Sequence, residues 1–455
     1  MASKLLFTEN ALRWLESILE ERFGHAFFIE EQEQYLKIKL PGSEKEIELG
    51  PLQKVFHQSY SNFKCFSWNA YQDGFNGLVE DELFAPSEIN LPEPLVEFSN
   101  RGATINYDVL GLTYWMLSRL EEVGRTDLDE HERFPATSSH AYNNGYLERP
   151  IVDEWLGILG QVISRVWCGI EIKTNKFKIK VSHDVDSPSR YFFQSFFGLI
   201  KAIGSDLLKQ RAFKSAFTAP LIWLSKSKYI DSRDPFNTFH WLMRQSENNG
   251  LTSAFYFICG RTDTNRDALY DPEMIQIRKL MGEIHQRGHE IGLHPSYNTY
   301  NCPDEFASEV SRLKTICSEE SINQEIWGGR MHYLRWQQPQ TLQLWEDAGM
   351  DYDSTLGYAD RPGFRCGTCF EYPAFNTVND EMLSLRIRPL IAMDCTVMAD
   401  KYLGLGSTEN AYFKFKELKD KCRKVKGVYS LLWHNSFFKN EKDFEIYSRL
   451  LSADD

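Results

Sequence analysis

Hydrophobic positions along this chain follow two different rhythms, and the change between them falls near residue 170. In the first stretch Leu15, Ile18, Leu19 and Arg22 recur at helical spacing, and Asn10 is placed to cap the start. Two alternating runs, YLKIKL and KEIEL, flank Pro41-Gly42-Ser43 as the arms of a hairpin flank their turn. The proline-spaced segment LFAPSEINLPEPLVEF then leads to a helix with Asp108 as its cap. Leu112, Trp115, Met116 and Leu120 form its apolar face, and Gly124 lies beyond its end. A further helix from about Asp153 to Trp167 gathers Trp155, Ile158, Leu159, Val162 and Val166 on one side. Residues 1–170 are therefore expected to form an α+β domain, and nothing in it resembles a catalytic constellation.

From about Phe177 the pattern becomes short apolar strands alternating with helices, the mark of a parallel sheet or an α/β barrel. The predicted strands are FKIKVSHDV, SAFYFI, HEIGLH, IWGGR, DYDSTL, the pair LSLRI and AMDCTVM, and VYSLLWH. Between them runs, for example, a helix from Glu273 to Arg287, stopped by Gly288. Residues 171–455 are thus expected to be an α/β domain with its active site where the strands' carboxyl ends meet.

Size and charge narrow the picture. A chain of 455 residues exceeds what one core usually organises, so two domains are expected. A formal charge of −13 argues against nucleic acid as a partner. The start, MASKLLFTENALRWLESILEERFG, has no basic lead, apolar run and cleavage site, and no apolar stretch approaches the roughly 18 residues of a membrane span. Nine cysteines without framework spacing fit a reducing compartment, and the cytoplasm is the expected location. Cys366 and Cys369 form a CxxC in a Gly/Pro-punctuated loop with no second ligand pair, so they are read as incidental. Neither a phosphate-cradling GxxxxGK[ST] nor a GxSxG nucleophile turn occurs, and the Gly404/Gly406 phrase is incomplete.

One segment departs from the acidic average. Residues 190–229 hold seven Lys/Arg (Arg190, Lys201, Lys209, Arg211, Lys214, Lys226, Lys228) against the single acid Asp206, and are rich in Phe. They are expected to belong to a helical insertion spanning about 190–250. Either its aromatics pack on the domain, or it makes a peripheral contact with an anionic membrane or a lipid-phosphate-linked sugar.

The chemistry-bearing residues sit at predicted strand ends. Asp184 and Asp186 are two apart on one strand and so point the same way; like charges this close need a cation or hydrogen-bonding partners. RGHEIGLHPSYN puts His294 at the end of a short strand, with His289 at its start as a structural histidine. GGRMHYLRW places Arg330, His332 and Tyr333 after another strand, and LLWHNSF ends at His434.

In that order the motifs resemble those of the polysaccharide deacetylases of the NodB-homology type, carbohydrate esterase family 4, over roughly Phe177 to Phe438. The resemblance implies a deformed (β/α) barrel and one divalent metal, zinc first, with cobalt, nickel or manganese as alternatives. It makes Asp184 the catalytic base, Asp186 and His294 metal ligands, Arg330 the residue that orients the base, and His434 the general acid. A backbone amide near Tyr333 would help hold the oxyanion. Asn298 occupies the place of the family's second metal-binding histidine, four residues after His294, and His332 is another source for the missing nitrogen. His332, Tyr333 and Arg365 are expected to face substrate. The implied reaction removes an N-acetyl or other acyl group from a carbohydrate, such as a nucleotide-linked or lipid-linked precursor of an envelope polysaccharide. The alternatives are a metal-independent C–N hydrolase and an inactive sugar-binding protein.

Overall fold

The structure, a computed structural model, describes residues 5–210 and 212–452; Arg211 and the side chain of Lys209, both counted in the basic segment, lie outside the described residues. The N-terminal region contributes β1 (Phe28–Gln32), β2 (Tyr35–Lys39), β3 (Glu46–Leu49), β4 (Lys64–Asn69), β5 (Glu82–Ser87), β6 (Val96–Ser99) and β7 (Gly102–Ile105). Five of these form a sheet in the order β1-β2-β3-β7-β6, and β4 pairs with β5. The hairpin across Pro41-Gly42-Ser43 sets Lys39 opposite Glu46, and Asp108 caps the helix Val109–Leu117 by accepting from Gly111 N–H.

The first helix runs Glu9–Phe23 and is capped by Thr8, whose extended backbone leaves its hydroxyl free to accept from Ala11 N–H. Asn10, the expected cap, already lies inside the helix and donates its amide to Asp380 O at 2.8 Å. Trp14, one turn further on, is fully buried, donates to Pro373 O and stacks on Phe375. The N-terminal region thus shares one continuous hydrophobic core with the rest of the chain.

The larger sheet contains β8 (Lys178–Val185), β9 (Ser253–Phe257), β10 (Glu290–Leu293), β11 (Gly328–Gly329), β12 (Tyr352–Asp353), β13 (Tyr372–Asn376), β14 (Glu381–Ile387), β15 (Ala392–Met393) and β16 (Val428–Leu432). Their order is β13-β14-β12-β11-β10-β9-β8-β16-β15. Every pairing is parallel except β13 with β14. The parallel α/β sheet is as expected, but closure into a barrel is not shown: among the described residues no ladder joins β13 to β15. The β13 edge runs antiparallel to its neighbour and is covered by the helix Glu9–Phe23, while β15 is only two residues long. The predicted strand AMDCTVM likewise shortens to β15, and the helix Asp394–Met398 follows at once.

Register brings the chemistry to one end. Val185 pairs with Phe257, Leu293 with Phe257 and Gly329, and Leu432 with Ser182, so residues just beyond β8, β10, β11 and β16 emerge together. β10 and β11 approach so closely that a Cβ on Gly329 would stand 1.8 Å from Leu293 O. Only glycine permits that contact.

Arg365, expected to face substrate, instead lies buried in the joint between the N-terminal region and the sheet. It holds Glu122 through two bonds of 2.9 and 2.5 Å and donates to Gly357 O. Glu122 also accepts from buried Arg119 at 2.9 Å. Two cations offset the cost of burying this carboxylate and hold it below its usual pKa despite the burial that pushes it up. Arg365→Ala is expected to destabilise the fold by about 3 kcal/mol, because Glu122 stays buried with one partner fewer; urea unfolding followed by circular dichroism checks this.

Candidate metal and acid–base site

β8 ends with Asp184 buried and Asp186 half-buried, both aimed into the cleft at the sheet's carboxyl ends. Arg330, just past β11 and buried beside them, donates from Nη1 to Asp184 Oδ1 at 2.7 Å. Its other nitrogens are fixed by Ser182 Oγ, Ser354 Oγ and Ser354 O. With all three nitrogens engaged, the guanidinium holds Asp184 in one orientation and offsets its charge.

Asp186 has a different set of neighbours. Its Oδ1 is enclosed yet accepts no hydrogen bond of good geometry among the described residues. Around that atom stand His294 Nε2 at 3.3 Å and His332 Nε2 at 3.6 Å, and the three ligand-type atoms lie within 4.8 Å of one another. The tautomers follow from the far side of each ring. His294 Nδ1 sits 2.6 Å from Arg330 O, a carbonyl that can only accept, so Nδ1 carries the proton and Nε2 keeps a lone pair. His332 Nδ1 faces Asp267 Oδ1 at 3.0 Å with the same consequence. Asp267 is itself fixed by the N–H groups of Thr262, Asp263 and Tyr297. A carboxylate or carbonyl behind each ligating imidazole is what metal sites require of their outer contacts.

The donor set fits a divalent ion. Ligand atoms about 2.1 Å from a tetrahedral centre stand roughly 3.4 Å apart, close to the two separations from Asp186 Oδ1. Two imidazoles and one carboxylate with a remaining open position also make a common zinc arrangement. Asn298, the expected third ligand, does not belong to it. It is exposed, donates to Thr262 O at 3.1 Å and accepts from Arg335 Nη1 at 3.0 Å. After β10 the chain enters an irregular turn, so a spacing of four residues does not return the side chain to the same side. His332, expected either to face substrate or to supply the missing nitrogen, stands beside Asp186 and His294 where a third ligand could sit.

His434 completes the group. Its Nε2 lies 3.7 Å from Asp186 Oδ2, while Nδ1 faces Asp394 Oδ1 at 2.8 Å and its backbone N–H donates to Asp394 Oδ2 at 2.7 Å. Burial would lower the pKa of this imidazole, but Asp394, and more distantly Asp186 and Asp184, push it up to about 10. Burial opposes ionisation of Asp186 too, yet the imidazoles of His294, His332 and His434 around it hold it well below the usual carboxylate range. His294 rises above its ordinary value because Asp184 and Asp186 outweigh its desolvation.

These groups floor a cleft of about 400 Å³ whose walls include Arg133, Arg266, Tyr333 and Tyr402. Tyr333 stands at the cleft as expected, at a left-handed backbone position with φ 61°. Three contributors escaped sequence reasoning. Asp394 was hidden inside what looked like one strand, although a carboxylate directly after a buried apolar pair is a strand-end signal. Asp267 lies in a loop with no motif. Arg133 comes from the N-terminal region, where no site residue was expected, and donates to Tyr333 O at 2.6 Å.

Residues 8–168 match a family of unknown function (DUF7033), and no curated protein matches the chain. Among solved structures, a Mycobacterium smegmatis protein assigned to the polysaccharide deacetylases is similar at 15% identity and TM-score 0.40, covering 63% of this chain and 84% of its own. PuuE allantoinase is similar at 13% identity and TM-score 0.35, over 63% and 85%. A Pseudomonas aeruginosa PAO1 protein, also assigned to the polysaccharide deacetylases, is similar at 14% identity and TM-score 0.34, over 61% and 84%.

Asp394→Asn is expected to bring the His434 titration down from about 10 towards its ordinary 6.5, read by NMR of the labelled imidazole in chelated protein. A histidine whose folded pKa is raised adds stability that is full below the unfolded value and is lost as pH rises through the folded one. The wild type should therefore lose more stability than the variant between about pH 6.5 and 10.

Proposed function

We propose that this chain is a metal-dependent hydrolase that cleaves an amide bond, removing an N-acyl group, acetyl first of all, from a carbohydrate. The observation that carries the reading is the division of labour around two adjacent carboxylates: Asp184 is paired with Arg330, whereas Asp186 Oδ1 is enclosed and faces two imidazole nitrogens whose lone pairs are free. Asp186, His294 and His332 would hold the ion, and zinc suits two nitrogens and a carboxylate. When bound, such an ion polarises the acyl carbonyl and lowers the pKa of water from about 16 towards about 7.

The remaining steps belong to the protein's own groups. Asp184, aimed by its bond from Arg330, accepts a proton from the attacking water. The Tyr333 backbone N–H, on the turn that borders the cleft, is offered as an oxyanion donor. His434, cationic at neutral pH beside Asp394, gives its proton to the leaving nitrogen as the C–N bond breaks. Water and amide thus become a carboxylate and an amine. The order of the sequence motifs supports a sugar as the amine. So does the cleft wall, where Tyr333 and Tyr402 alternate with polar Arg266 and Asn265. In this reading residues 1–170 are a second domain that braces the catalytic one and lends Arg133 to the cleft.

Metal analysis of protein purified without chelator, joined to acetate release from a panel of N-acetylated sugars, tests the reading. About one ion per chain is expected, with activity lost on chelation and restored by zinc. Asp184→Asn should lower kcat by about 10²–10⁴-fold while keeping the metal. Undiminished turnover by metal-free protein would refute the metal's role, and no turnover across the panel would refute the hydrolase itself.

A further inference from the structure

Among the described residues the densest patch of exposed large apolar side chains lies on the basic insertion. The helices Phe196–Ser205 and Phe213–Trp223 form a hairpin joined through the turn Asp206–Gln210. It has a small core of its own, Tyr191, Leu199, Ala219 and Ile222, separate from the main one. That core uses only one side of each helix. On the other side Phe197 is 79% exposed, Leu208 86% and Phe217 81%, with Phe196, Leu221 and Leu224 also exposed. Single exposed apolar residues are ordinary on a protein surface; a cluster of aromatic and aliphatic side chains on one small hairpin is not.

The charge around this face has a definite sign. Asp206, the only acid between 190 and 229, is buried and held by Arg190, with Tyr191 Oη donating to it at 2.5 Å. Its charge is therefore cancelled within the hairpin. Lys201, Lys214, Lys226 and Lys228 are exposed, in a chain whose net charge is −13. Apolar side chains ringed by lysine, with no exposed acid between 190 and 229, complement a surface that offers hydrocarbon beneath negative charge. They do not complement a second copy of the same face, which would set lysine against lysine.

We infer that this hairpin docks the protein on an anionic membrane surface, inserting Phe197, Leu208 and Phe217 below the headgroups while the lysines pair with lipid phosphates. No helix among the described residues is long and apolar enough to cross a membrane, so the contact is peripheral. The hairpin follows directly from the end of β8 that carries Asp184 and Asp186, with Phe193 packed 6.0 Å from Tyr270, whose hydroxyl donates to Val185 O. Docking would thus hold the catalytic end of the sheet close to the lipid surface. The inference stands on the hairpin alone and does not depend on the hydrolase reading.

Sedimentation of the full chain with phosphatidylcholine vesicles, with and without phosphatidylglycerol, tests it. Binding is expected to need the anionic lipid and to weaken as salt rises. Replacing Lys201, Lys214 and Lys226 together by Gln should weaken binding roughly hundredfold. Phe197→Ser, Leu208→Ser and Phe217→Ser together should weaken it at least about tenfold, with circular dichroism and thermal unfolding unchanged. Wild-type protein that ignores phosphatidylglycerol vesicles, or variants that sediment like the wild type, would overturn the inference. So would light scattering that shows a wild-type dimer and a monomeric Ser variant, neither bound to vesicles, because the face would then belong to self-association.

Discussion

Two carboxylates two residues apart at the end of one buried strand set the terms for everything around them. Asp184 and Asp186 point the same way from β8, where water is too scarce to screen them, and each must be compensated by something the fold supplies. Arg330 does this for Asp184 with a buried bond of 2.7 Å. For Asp186 the compensation comes from three imidazoles, His294, His332 and His434, all within 3.7 Å of its oxygens. The asymmetry is chemically useful. A carboxylate locked to a guanidinium is ready to take a proton, and one facing nitrogen lone pairs is ready to share a cation with them.

The sheet exists in the form that makes this possible. Parallel neighbours β8, β10, β11 and β16 end at one level, and the close approach of β10 to β11 depends on Gly329. Behind each functional imidazole stands a second group that fixes its orientation: Arg330 O for His294, Asp267 for His332, Asp394 for His434. The N-terminal region completes the support. Arg133 grips the carbonyl of Tyr333, while Arg335 reaches back to His131 O at 2.9 Å and to Glu132. The turn carrying His332 and Tyr333 is therefore clamped from outside the sheet.

Much of this was legible in the sequence because it depends on local period and order. Alternation in FKIKVSHDV placed Asp184 and Asp186 on one face, and apolar runs before His294, Arg330 and His434 put all three at strand ends. What depended on loop geometry was not legible. Asn298 was assigned by a spacing of four, but the chain after β10 turns irregularly and the amide is taken by Thr262 and Arg335. His332 reaches the site because Tyr333 and Leu334, at φ 61° and 56°, bend the chain after β11, and such backbone angles leave no trace in residue type. Nor does the strand pattern show that the helix Glu9–Phe23 packs against β13 and β14. Arg365 could not be placed without knowing that Glu122, far away in sequence, lies buried opposite it.

The central claim is that Asp186, His294 and His332 form one metal site. Anomalous diffraction at the zinc edge, from crystals grown with zinc, tests it most directly. The account predicts a single strong peak bonded to Asp186 Oδ1 and to the Nε2 atoms of both histidines, with Asn298 uninvolved. A peak that leaves out His332, or a site that stays empty while zinc binds elsewhere on the chain, would contradict it.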